Sequence, residues 1–146
     1  MRAAIFAGIA GGITIDLFLW AATLLPAHQS ILKMWQFVAS GAVGSVAYTS
    51  ANYAWLGLAV HFVVSIGWAG GYAYLAQSRS YLNERWWISG LFYGFMVYIF
   101  MQLIMLGAHV FTFPDNADVV LTAVVAHCGF FGLPVAFVVS RLSQRS

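Results

Sequence analysis

Four long apolar runs, Ala3 to Leu25, Trp55 to Ala76, Trp87 to Ala108 and Val119 to Val139, constrain this chain more than anything else in it. Each reaches the roughly 20 residues that an α-helix needs to cross a ~30 Å hydrocarbon layer. In lipid the backbone must bond within its own segment, so runs of this length read as helices. They occupy most of the 146 residues. The predicted fold class is therefore all-α, a four-transmembrane-helix bundle forming a single integral membrane domain over residues 1–146, and any binding or chemistry has to be built between helices or in short loops. Composition agrees: 7% of residues are charged and the mean hydropathy is +0.86, against about a quarter charged in soluble domains. The first run is too long for a secretory h-region, follows a single Arg2 and contains Asp16, so it is expected to be retained.

Basic residues predict orientation, because Lys and Arg collect on the cytoplasmic side. Arg2, Arg79, Arg85, Arg141 and Arg145 fall on one face of a four-span chain, and the other face carries only Lys33, with Asp115 and Asp118. Both termini are expected in the cytoplasm. The charge is thus topological and implies no nucleic-acid partner. Cys128 is the only cysteine, which excludes an intrachain disulfide.

Within the first run, Gly8, Gly12, Asp16 and Trp20 recur every four residues, and Gly90, Gly94, Tyr98 and Gln102 repeat the pattern in the third. Residues four apart lie along one helix ridge, so each helix offers a close-packing glycine end and a polar end that is unsuited to lipid. Gly67 and Gly71 form a further pair, and all three pairs are expected to pack helices. Spacing alone does not separate contacts within the chain from contacts in a homo-oligomer or larger membrane complex. In both halves a glycine-ridge helix precedes a helix with a histidine and then a glycine, His61 with Gly67 and His127 with Gly132, which is compatible with two parallel hairpin repeats.

Between the first two spans, Ile31, Leu32, Met34, Trp35, Phe37 and Val38 predict a short amphipathic helix in the interface, with Lys33 and Gln36 towards water. The small residues of 39–48 suit close backbone approach, and a partly re-entrant path is open to them. Trp86 and Trp87 read as an interfacial anchor. Phe113-Pro114-Asp115-Asn116 is turn chemistry, with Asp118 placed to cap the last helix. Pro134 should interrupt that helix around residues 130–134.

Counted inwards from the outer span ends at 1.5 Å per residue, Asp16 lies about 14 Å deep, His61 and Gln102 about 9 Å and His127 about 12 Å. One polar residue per helix thus falls in the outer half, and an ionisable group there costs about 2.5 to 3.5 kcal/mol and should turn inward to a partner. Asp16 with His61 or His127 is the natural pair. Three uses are open to such a layer: cross-helix bonding that fixes packing, a proton or small-solute path relayed by Asp16, and haem or metal ligation by His61 and His127. His28 or His109 would have to fold in to complete a three-histidine metal set. Ser40, Ser45 and Ser65 lack a base or strained turn, and no catalytic motif is present.

Taken together, Thr14-Ile-Asp16-Leu, Gln36-Phe-Val-Ala-Ser40-Gly41, Leu56-Gly57 with His61-Phe62, Gly90 with Gly94, and His127 with Gly132-Leu-Pro134 resemble a family of four-span bacterial inner-membrane proteins. The resemblance covers nearly the whole chain and departs at Leu106-Gly107, where the family has a proline near the end of the third span. It implies the four-span fold in an inner membrane and draws attention to Asp16, His61 and His127, and it carries no activity. A non-catalytic protein that binds a partner or ligand is the expected function, with a proton-coupled transporter and a membrane haem protein as alternatives.

Overall fold

The computed structural model describes residues 1–108 and 116–143. His109, the Phe113-Pro114-Asp115 part of the predicted turn and Arg145 lie outside them. The described residues form an all-α bundle. Four helices are long and apolar enough to span a membrane: α1 (Arg2–Leu24), α3 (Tyr53–Ser78), α5 (Trp86–Gly107) and α6 (Ala117–Leu142). Two shorter helices, α2 (Ile31–Val43) and α4 (Ser80–Glu84), fill the first two connections.

The boundaries follow from local chemistry. The Ser30 hydroxyl caps α2 by accepting from Leu32 N–H, and Gly44 ends it at φ +68°, a left-handed conformation suited to glycine. Thus α2 continues beyond Val38 through the first small residues, and Ala39 and Ser40 are fully buried. Lys33 is exposed as expected, but Gln36 is turned from water: its amide donates to the Ala47 and Ser50 carbonyls at 3.1 Å and ties the following loop to the helix.

At the start of α6 the cap is Asn116, whose side chain accepts from Asp118 N–H at 2.8 Å. Asp118 instead sits in the first turn, where a carboxylate favours the helix dipole. Because the capping bond satisfies an otherwise orphan N–H, Asn116→Ala should lower stability by about 1 kcal/mol and Asp118→Ala by less, read as detergent melting temperatures.

The helices pack in the order α3, α1, α6, α5, and α2 lies against α3. Both hairpins repeat one register. Gly8, Gly11, Gly12, Ile15 and Asp16 are buried in α1, and Gly90, Tyr93, Gly94, Val97 and Tyr98, at identical spacing, are buried in α5. A Cβ on Gly8 would meet Ile66, five residues after His61; one on Gly90 would meet Gly132, five after His127. Likewise Gly12 abuts His61 and Phe62, and Gly94 abuts His127 and Cys128.

Gly67 and Gly71 behave differently from the other pairs. Both are exposed; a Cβ on Gly67 would meet nothing within 4 Å, because the packed face of α3 is the one carrying Ser65, Ala69, Tyr72 and Ala73, while one on Gly71 would lie 3.2 Å from the Tyr93 hydroxyl of α5. Of the tryptophan pair, Trp87 faces outward and Trp86 packs edge-on to Phe137.

Pro134 leaves its mark as a π-helical turn over Ala126–Gly132. Having no N–H, it cannot serve the Phe130 carbonyl. Thr14 of α1 approaches that carbonyl with its hydroxyl, which also lies 2.8 Å from its own Ala10 carbonyl, and Phe18 stacks on Phe130 beside it. The broken turn of one helix is thereby sealed by its neighbour.

Candidate functional site: a carboxylate shared by three helices

Asp16 is 8% exposed, one turn beyond Gly12 on the face that meets α3. Its Oδ1 lies 3.2 Å from His61 Nε2, and its Oδ2 accepts from Trp35 Nε1–H at 3.2 Å. His61 Nε2 is also 3.2 Å from the Gly12 carbonyl. A carbonyl can only accept, so Nε2 carries the hydrogen and shares it between two acceptors. Each carboxylate oxygen therefore has one donor, and three helices meet at a single side chain.

Glycine makes this possible. A Cβ on Gly12 would lie 3.3 Å from His61 Nε2 and 3.0 Å from the Phe62 ring, so the small residue lets the imidazole reach across. A Cβ on Gly57 would collide with the backbone carbonyl of Trp35, so α2 rests directly on the α3 backbone there. That contact sets the reach of the Trp35 indole.

The polar layer divides into two centres. His127 donates from Nδ1 to the Ala123 carbonyl at 2.8 Å and sets its ring edge against Tyr98 at 5.6 Å, and Gln102 donates to the Tyr98 hydroxyl at 3.4 Å. Among the described residues no hydrogen bond or ion pair joins this group to Asp16. Tyr98 holds in α5 the place that Asp16 holds in α1, so each hairpin has a histidine beside a polar ridge residue and only in the first is that ridge residue an acid.

Trp20 is 38% exposed, at the start of a π turn that ends α1, and does not join Asp16. The indole that does is Trp35. It stands in the middle of an amphipathic helix, and a half-buried indole N–H needs an acceptor while a buried carboxylate needs donors; matching those two needs was the available signal.

Among the described residues no three His, Cys, Asp or Glu groups converge, His61 Nε2 is engaged by Asp16, and His28 is exposed in the loop after α1 with φ 52°. Compared with known protein families, curated proteins and solved structures, the chain matches none of them.

Proposed function

We propose that this multi-pass protein is non-catalytic and acts by binding a partner or ligand in an inner membrane, with its termini cytoplasmic and with α2 latched over the polar centre as the element that meets the bound species. One observation carries the reading: a single carboxylate ties α2, through Trp35, to α1 and α3. α2 packs along α3 with Ala39 and Ser40 buried, and the Trp35 indole is the link through which a species bound at α2 reaches the Asp16 carboxylate.

Native mass spectrometry after mild extraction tests this. Wild type is expected to carry mass beyond the bare chain that Trp35→Phe loses; a bare monomer from wild type overturns the proposal.

Transport is the second reading, favoured by the carboxylate and imidazole sharing a hydrogen. It needs a wetted route past Asp16, and the residues between Asp16 and the end where α1 starts are apolar and buried, among them Ala7, Ala69 and Ala73. In proteoliposomes with a pH-sensitive dye no flux is expected; flux abolished by Asp16→Asn would transfer the assignment to a proton-coupled transporter.

A further inference from the structure

The two seams between the hairpins are built differently. Along α1 and α6 contact is close: a Cβ on Gly11 would lie 2.8 Å from the Val135 side chain and 3.0 Å from the Phe131 ring. Along α3 and α5 the residue in the place of Gly11 is Tyr93. Its ring stands edge-on to Tyr72 and Trp68, and its hydroxyl donates to the Trp68 carbonyl. A tyrosine where the other seam has glycine props these helices apart.

Beside this prop, towards the end where α1 starts and α6 finishes, the seam holds a cavity of about 480 Å³. Leu75, Ile88 and Phe92 form its walls, and Arg79 and Arg85, which bracket α4, line it as well. We infer that this groove seats an anionic phospholipid, with an acyl chain along the walls and the phosphate on the two guanidinium groups.

Three features select that occupant. The walls open to the membrane, with Phe92 74% exposed, so what enters is already dissolved in the bilayer. Both arginines sit at span ends, at headgroup level, and neither has an ion-pair partner among the described residues; Glu84 between them has none either. A guanidinium fork matches phosphate oxygens in pairs. The polar groups of the floor are already spent: the Tyr72 hydroxyl lies 2.7 Å from Ser89 Oγ, and both are within hydrogen-bond distance of the Leu82 carbonyl. Selectivity for charge thus rests on the arginines.

The test is native mass spectrometry of the purified chain offered phosphatidylglycerol and phosphatidylcholine with identical acyl chains. Wild type should retain one phosphatidylglycerol in preference. The Arg79→Gln/Arg85→Gln variant should lose about tenfold or more of that preference. The lysine pair, which keeps charge without the fork, should fall between. Arg141→Gln, at the same end but stacked on Phe137, should change nothing, and Leu75→Trp should lower retention of both lipids by filling the groove. Equal retention of the two lipids by wild type, an unchanged preference in a glutamine pair that melts like wild type, displacement by inorganic phosphate, or a protein bound in place of lipid each overturns the assignment.

Discussion

Leucine at Gly94 pushes α5 away from α6 and costs the bundle about 3 kcal/mol or more, whereas leucine at Gly67 leaves stability within about 0.5 kcal/mol. Both are glycines inside apolar spans, and each begins or ends a four-spaced pair. The difference is what stands opposite. At Gly94 an added Cβ runs into the backbone of His127 and Cys128, and at Gly132 across the seam it runs into the backbone of Gly90 and Gly94. Backbone cannot rotate aside as a side chain can, so relief requires separating the helices and forfeiting the contacts along their length. Gly67 points outward with nothing within 4 Å, and an apolar side chain there meets only lipid. Melting followed by circular dichroism in one detergent compares the two variants directly. Equal shifts would mean that the glycine seam does not hold the second hairpin together.

The same contrast shows what a linear reading reaches. Span length and apolarity are local properties, and the four helices emerge within a few residues of the runs that predict them, Trp55 to Ala76 lying inside Tyr53–Ser78 for example. Which side of a helix packs is a property of its neighbours. The ridges of Gly8 and Gly90 are buried because a histidine-bearing helix answers each, whereas on α3 Gly67 faces open space and only Gly71 meets a neighbour, the Tyr93 hydroxyl. Depth was legible from counting, and it brought Asp16 and His61 to one level. Bonding partners were not, and His127 and Gln102, placed at similar depth, make their contacts with Tyr98 and the Ala123 carbonyl rather than with Asp16. Trp35 escaped because its helix reads as an interfacial one with its apolar side uncommitted, although a polar donor on that side has to find an acceptor. Thr14 was signalled more directly: a proline inside a span orphans one carbonyl, and a hydroxyl at matching depth on another helix can meet it. The repeat became firm only in three dimensions, where buried positions and their contacts correspond although the side chains differ, aspartate in one half and tyrosine in the other.

The second large effect lies in how Asp16 and His61 depend on one another. His61→Leu removes the counter-group and leaves the carboxyl with the Trp35 indole alone, in surroundings of low polarity; breaking a buried pair from one side costs about 3 to 5 kcal/mol. Asp16→Leu strands the indole N–H and leaves the imidazole N–H with the Gly12 carbonyl alone, at about 1 to 3 kcal/mol. Replacing both together removes the buried charge and its partner at once, and apolar replacement of a whole buried pair is often near neutral. The double variant should therefore melt above His61→Leu, with a coupling of about 2 kcal/mol or more between the two sites. Trp35→Phe added to each background locates α2 in the scheme: it should cost about 1 kcal/mol with Asp16 present and almost nothing in Asp16→Leu, since the indole then has no carboxylate to reach. A cycle that closes additively, with the double variant as unstable as the sum of the single ones, would mean that the carboxylate, the imidazole and the indole hold their helices independently, and the three-helix latch would have no energetic basis.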